Sequence, residues 1–381
     1  MANATHDEAF VDLEIRIFQA HEQGYPVEIT LGGEQEFPRG YVPPELAEWT
    51  PGGDPAAAGQ QLFELLFADP KLREAWAEAR GRADRRRIRL RIDTTAAELH
   101  TLPWEMIVAD DQMLAAHAAT PFSRYLPVAL PWGGVVEERP IRVLAVISNP
   151  DDLAAEYNLA ALDMDAERAI LEEALAGTED VEVDFLDGPA TLENIEAALR
   201  DGYHVLHYVG HGAFSRRRQQ AALYLQDDAG HTQIVKDDAW IGMLVRLPER
   251  PRLVFLAACQ SASRATGDAF RGLGPKLIQA GVPAVVAMQD FVVIQTARKL
   301  GEIFYRRLAE HGIVDQAINE ARSTLLTTGR EDAAVPVLFM RLKSGHLWGA
   351  EVDARGEVLG ARNPRIFWTG MMKMIQRGKC L

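Results

Sequence analysis

Cysteine is nearly absent. Two residues of 381, Cys259 and Cys380, are all the chain has, which makes neither a disulfide framework nor a zinc-binding cluster. Long apolar runs are missing too. None reaches the ~18 residues that a membrane helix requires, so no membrane span is expected. The opening "MANATHDEAFVDLE" has no basic stretch and no apolar core of a secretory signal, so the expected location is cytoplasmic, with Cys259 kept as a free thiol. Positive charge is in deficit as well: 40 Lys and Arg face 55 Asp and Glu, and a net charge of −15 repels phosphate backbones. No nucleic acid is expected to bind directly. Nor is there an internal repeat of solenoid length.

What remains is the composition of an ordinary globular protein, long enough for two or three domains that bury their own cores. Residues 1–135 read as a mixed α+β region. "YPVEITL" (25–31) alternates like a strand, and a Gly/Pro-rich stretch after it reads as an ordered loop. "AAAGQQLFELLFADPKLREAWAEARGRA" predicts two helices broken near Asp69 and Pro70. The basic run "RGRADRRRIRLR" (80–91) predicts a solvated helix end leading into a strand with Ile88, Leu90 and Ile92 on one face and arginines on the other.

After a linker-like stretch, "LPVALPWGGVVEERP" (126–140), residues 136–345 alternate strand and helix. Strands are predicted at 141–150, 181–188, 203–212, 251–262, 284–289 and 336–342. Helices are predicted at 162–177, at 191–202 with Thr191 as N-cap, over "DAWIGMLVRL" and "GLGPKLIQAG", and at 293–311 and 314–328. Continuous β-branched runs between amphipathic helices predict a mostly parallel sheet with helices on both faces.

In such a sheet, ligands gather beyond the C-terminal ends of the strands. One end, "HYVGHGAFS", delivers His211 between two glycines; another, "FLAACQSA", delivers Cys259. Flanking glycines have no side chains with which to enclose a histidine. Adjacent parallel strands lie ~4.8 Å apart, so neighbouring strands would bring imidazole and thiol within reach. Histidine then lowers the thiol pKa and makes a nucleophile for a carbonyl. The resulting oxyanion needs preorganised donors, and the amides of Gly212 and Cys259 are the candidates. Cysteine also fills buried strand ends without any chemistry, and that alternative stands on these residues alone. His204 and His207 point to opposite faces of their strand and do not chelate one metal; no metal site is expected. "SRRRQQ" (215–220) reads as an exposed loop.

"HYVGHG", followed 48 positions after its second histidine by the cysteine of "FLAACQSA", resembles the His and Cys motifs of clan CD cysteine peptidases, and more specifically the bacterial CHAT domain, which is caspase- and separase-like. "LIQAGVPAVVAMQ", "AINEARSTLL", "PVLFMR", "LPWEMI" and "TPFSRYL" extend the resemblance over roughly residues 85 to 342. It implies a caspase-like fold, a catalytic unit over 136–345, and a non-catalytic caspase-like half over 1–135. It implies His211 as general base and acid, Cys259 as nucleophile and Gly212 as an oxyanion donor, with no metal or cofactor. The implied function is a regulated cysteine endopeptidase of bacterial defence or cell death, with a protein substrate and an activating partner or sensor module. A catalytically silent interaction module of the same fold is the alternative, and transfer or deamidation by the same thiol is a third.

The chain departs from the family after "AMQ". Relatives commonly carry an aromatic residue and a proline there, then an aspartate; here Asp290 follows Gln289 directly and Ile294 stands near the usual acidic position. Asp268 and Asp290 are candidates for a pocket that selects a basic side chain, with ordinary surface carboxylates as the alternative. Residues 346–381 read as a C-terminal extension whose "NPRIFWTGMMKMIQRGKCL" is expected to open a further effector domain, with Cys380 outside the chemistry.

Overall fold

Alternation of apolar and polar side chains sets the first strands in the computed structural model, which describes residues 10–131, 133–176, 178, 180–215, 217–258, 264–290 and 292–349. β1 (Val11–Ile17) buries Leu13, Ile15 and Ile17, and β2 (Tyr25–Leu31) buries Val27, Ile29 and Leu31. They pair antiparallel, Ile15 opposite Ile29. Short strands β3 (Gln35–Glu36) and β4 (Gly40–Val42) both pair with β2. α1 (Pro55–Leu66) and α2 (Pro70–Arg82) begin alike. Asp54 and Asp69 accept from the amides of Ala57 and Lys71, each at 2.9 Å, and a proline fills the first helical position, where no N–H is needed. β5 (Arg86–Ile92) follows, then a small ribbon of β6 (Val108–Ala109) and β7 (Gln112–Met113), and β8 (Phe122–Tyr125).

The rest of the chain alternates strand and helix. It runs through β9 (Ile141–Ile147), α3 (Leu153–Tyr157), α4 (Met164–Leu175), β10 (Val181–Phe185), α5 (Leu192–Leu199) and β11 (Val205–Gly210). A three-stranded antiparallel ribbon, β12 (Gly212–Ser215), β13 (Gln220–Gln226) and β14 (Thr232–Lys236), leads to α6 (Asp237–Arg246). Then come β15 (Leu253–Ala258), α7 (Arg264–Gln279), β16 (Ala284–Met288), α8 (Ile294–His311), α9 (Val314–Thr327) and β17 (Pro336–Met340).

Twelve strands make one sheet in the order β10-β9-β11-β15-β16-β17-β8-β5-β1-β2-β3, with β4 also on β2. β10, β9, β11, β15 and β16 are mutually parallel. β17 reverses direction against β16, and β8, β5 and β1 run parallel to β17. The sheet is thus mostly parallel, as predicted, with antiparallel pairing at β16–β17 and at the edge formed by β2, β3 and β4. Helices cover both faces, and adjacent side chains of β11 show it. His207 stacks on Phe255, with ring centroids 4.7 Å apart, and its Nδ1 lies 2.7 Å from the Tyr305 hydroxyl of α8. Tyr208 meets Trp240 of α6 and Phe270 of α7 edge-on. Desolvation drops the pKa of His207 to about 3, so it is a neutral core residue. Among the described residues no helix is long and apolar enough to cross a membrane.

Two large apolar cores meet at the β17–β8 pair, one built from residues between Leu13 and Phe122 and a larger one, β17 included, from residues between Val136 and Trp348. A polar stripe on α9 joins them. Asp315, Asn319 and Arg322 stand at positions i, i+4 and i+7, all buried. Asp315 accepts from Arg87 Nε of β5 at 2.7 Å. Asn319 Nδ2 reaches the carbonyls of Leu114, His117 and Thr120 at 2.8–3.3 Å, and its Oδ1 accepts from the Phe122 amide. Arg322 donates to the carbonyls of Ala115 and Pro336.

Several expectations change. The arginines of β5 are not solvated. Arg86, Arg87 and Arg89 are buried, because β5 lies inside the sheet between β1 and β8 and Asp12, Asp315 and the Lys343 carbonyl receive Arg87 and Arg89. α7 begins at Arg264, well before the predicted start near Gly272, and continues through Pro275. β1 and the β12–β14 ribbon were not predicted; within the predicted loop 215–220, residues 217–219 form the turn between β12 and β13. Leu347 and Trp348, at the start of the predicted C-terminal extension, are buried in the larger core; residues 350–381, with Cys380, lie outside the described residues.

Cutting the Arg87–Asp315 pair leaves a buried guanidinium without its hydrogen-bonded carboxylate. Asp315→Ala is expected to destabilise the fold by about 3–5 kcal/mol, read as a lower urea midpoint, whereas the apolar double change Arg87→Met with Asp315→Leu should recover most of that loss.

Candidate active site

The parallel register decides which side chains assemble. β11 and β15 are neighbours, with Val205 opposite Leu253 and, at their C-terminal ends, Gly210 opposite Ala258. His211 follows Gly210. Cys259 comes next after Ala258 in the sequence, and it lies outside the described residues. β16 is the following parallel strand, and Gln289 and Asp290 stand just past its end.

His211 is fully buried. Its Nε2 lies 2.8 Å from the Ala160 carbonyl. A carbonyl only accepts, so Nε2 carries the proton and, in the neutral ring, Nδ1 presents a lone pair. Among the described residues, Nδ1 is buried without a hydrogen-bond partner. Burial lowers the His211 pKa, opposed in part by the Ala160 carbonyl, so the ring is neutral at pH 7. An imidazole held by one nitrogen, with the other basic and unsatisfied, is suited to take up a proton.

The support of that carbonyl begins at the end of β9. Asn149 Oδ1 accepts from the Leu162 amide at 2.8 Å and its Nδ2 donates to the Leu162 carbonyl at 3.2 Å, which fixes the loop carrying Ala160. Ser148 donates from its amide to the Val209 carbonyl and from Oγ to the Tyr224 carbonyl. The Tyr224 amide in turn donates to the His211 carbonyl at 3.1 Å. Sequence reasoning missed Ala160, Asn149 and Ser148. "ISNP" at the end of a predicted parallel strand was the available signal.

The glycines beside His211 answer to packing. A Cβ on Gly210 would sit 2.4 Å from the buried Tyr208 hydroxyl, and one on Gly212 would sit 2.8 Å from Ala269 Cβ of α7 and 3.2 Å from the Ala222 carbonyl. Gly212 opens β12 opposite Leu223.

Asp268 and Asp290 line one cavity of about 500 Å³ together with Glu48, Trp49, Glu331 and Arg271. Asp268 pairs with Arg271 one helical turn away on α7. The opposite wall comes from the N-terminal half, through residues 47–51 and 101–103. No group of three His, Cys, Asp or Glu side chains is arranged to hold a metal ion among the described residues.

The sequence profile of the CHAT domain matches residues 56–375 of this chain. No curated protein matches it. Among solved structures, it is similar to gingipain R, an Arg-specific cysteine proteinase, at 12% identity and a TM-score of 0.39, covering 68% of this chain and 63% of that one. It is also similar to the Saccharomyces cerevisiae separase–securin complex, at 13% identity and a TM-score of 0.37, covering 73% of this chain and 17% of that one. The complex of pro- and mature domains of a Porphyromonas gingivalis protease gives 12% identity and a TM-score of 0.34 over 68% of this chain and 56% of that one. The chain therefore spans less than two thirds of each.

Gly210→Ala and Gly212→Ala are each expected to cost about 1–3 kcal/mol by overpacking. Urea denaturation followed by fluorescence checks this, and an unchanged midpoint for both would contradict the packing described.

Proposed function

The chain belongs to the CHAT domain family, and from that footing we propose that it is a cysteine endopeptidase acting through His211 and Cys259. The observation that carries the proposal is the buried Nδ1 of His211, unpartnered among the described residues, at a strand end whose register neighbour leads into the cysteine. In the proposed reaction the Cys259 thiol gives its proton to His211 Nδ1, and the thiolate attacks the scissile carbonyl carbon. The amides of Gly212 and Cys259 donate to the oxyanion, in the roles that the family resemblance assigns them. As the C–N bond breaks, His211 returns the proton to the leaving amine and a thioester remains. Water then gives a proton to His211 and attacks the thioester; the acid leaves and the thiol is restored.

For selectivity, we propose that the cavity takes a basic side chain on the acyl side of the scissile bond. Among the described residues its lining has four carboxylates, Glu48, Asp268, Asp290 and Glu331, against the one guanidinium of Arg271, and Trp49 adds an aromatic ring. We place the catalytic unit at 136–345 and assign 1–135 as a non-catalytic half, which the two separate cores support. A cytoplasmic setting, a protein substrate, an activating partner and a role in bacterial defence or cell death complete the proposal.

Proteome-wide terminal labelling with the intact chain and with Cys259→Ala tests this. New N-termini that depend on Cys259 and follow Arg or Lys are expected. Cleavage after acidic residues would refute the basic selectivity, and no Cys259-dependent cleavage, with no Cys259 adduct from an acyloxymethyl ketone, would leave a binding module.

The pH profile is a separate check. Only neutral His211 accepts a proton, and burial holds its pKa below the usual value of about 6.5. The rate should therefore persist as pH falls through 6.5 and be lost at more acidic pH, and His211→Ala should lower it by a factor on the order of 10²–10⁴.

A further inference from the structure

One ionic cluster contacts both walls of the acidic cavity. Arg124 of β8 and Glu105, both buried, form a two-pronged pair, Nε to Oε1 at 3.0 Å and Nη2 to Oε2 at 2.6 Å. On the N-terminal side the same guanidinium donates to the carbonyls of His100 and Leu102, each at 2.9 Å, and Thr101, Leu102 and Pro103 form that wall. On the other side Nη2 donates to Gln289 Oε1 at 3.2 Å. Gln289 Nε2 donates to Glu105 Oε2 at 3.3 Å and to the Ala334 carbonyl at 3.0 Å, and its amide donates to the Val335 carbonyl at 3.2 Å. A guanidinium only donates and a carbonyl only accepts, so the Gln289 amide has one orientation that satisfies every partner. Gln289, Ala334 and Val335 line the cavity, and Asp290 is the next residue.

We propose that Glu105, Arg124 and Gln289 are positioning residues that hold the two cavity walls at the spacing a cationic side chain requires, so that the N-terminal half takes part in substrate selection. The inference rests on the assignment of the cavity to a basic side chain. Its physical content is preorganisation. If Gln289 loses its polar atoms, β16 keeps its place in the sheet, but the segment carrying Asp290 is no longer tied to Arg124 and the wall at 101–103.

The test uses the full chain with Cys259→Ala and agmatine as a guanidinium probe, followed by NMR titration. Gln289→Met, equal in length and without polar side-chain atoms, is expected to weaken agmatine binding by about tenfold through lost preorganisation while the protein remains folded. With Cys259 restored, a peptide with arginine before the scissile bond should show KM raised by a similar factor and kcat changed far less. Gln289→Leu serves if the methionine variant does not fold. Unchanged agmatine affinity in a folded variant overturns the proposal, as does the absence of agmatine binding to the unmodified cavity, or a loss confined to kcat. Failure of the peptidase assignment would appear separately, as agmatine binding without Cys259-dependent cleavage.

Discussion

Burying hydrogen-bonding groups obliges the molecule to pair them, and α9 shows what this imposes. Asp315, Asn319 and Arg322 face a seam where water does not reach, and most of their partners belong to the other core: Arg87, the carbonyls of residues 114–120 and the amide of Phe122. Each neutral bond contributes only about 1 kcal/mol net, but each unmade one costs its full desolvation. The two cores are therefore held in one arrangement by polar satisfaction as well as by apolar contact. β8 lies in that seam. Its Phe122 is fixed by Asn319, and two residues on, Arg124 reaches Gln289 in the cavity wall.

The same sheet explains where chemistry is available. Parallel strands all end at one edge, so β11, β15 and β16 bring the residues after Gly210, Ala258 and Met288 to a common rim. Close packing against Tyr208 and α7 demands glycine on either side of His211. What orients the ring is a main-chain carbonyl, and this fixes the tautomer without introducing a nearby negative charge. A carboxylate in that place would raise the imidazole pKa further than the neutral carbonyl does; burial outweighs the carbonyl, lowers the pKa and keeps the ring uncharged at pH 7.

Much of this was legible in the sequence because it depends on period and punctuation. The alternating elements from 141 to 340, the helix break at Asp69 and Pro70, and the Thr191 cap all follow from local chemistry. The glycine-bracketed histidine stood out for the same reason. Other features were hidden because they depend on distant partners. Arg87 reads as solvated until Asp315, 228 positions away, is placed against it. Ala160 acts through its carbonyl, which residue type does not disclose. Gln289 is an unremarkable glutamine until Glu105 and Arg124 arrive from another core. α7 conceals its length behind glycines and Pro275, which read as breakers; Gly272 and Gly274 instead admit Phe214 and Phe339 at close range.

The origin of the two groups of residues separates their tasks. Among the described residues, the groups that hold His211, namely Asn149, the Ala160 loop, Tyr208 and Tyr224, come from the larger core side of the chain. The cavity draws its walls from both halves. A displacement of the N-terminal half would thus move residues 101–103 against Asp290 without acting directly on the imidazole. If the proposed function holds, proton uptake and side-chain selection are mechanically distinct, and the coupling between them passes through the end of β16. On the proposed function, an activating partner that engages the N-terminal half would have its shortest route to the reaction through Arg124 and Gln289. It would act by deciding which side chain is gripped, because among the described residues the contacts that set the state of His211 come from the other half.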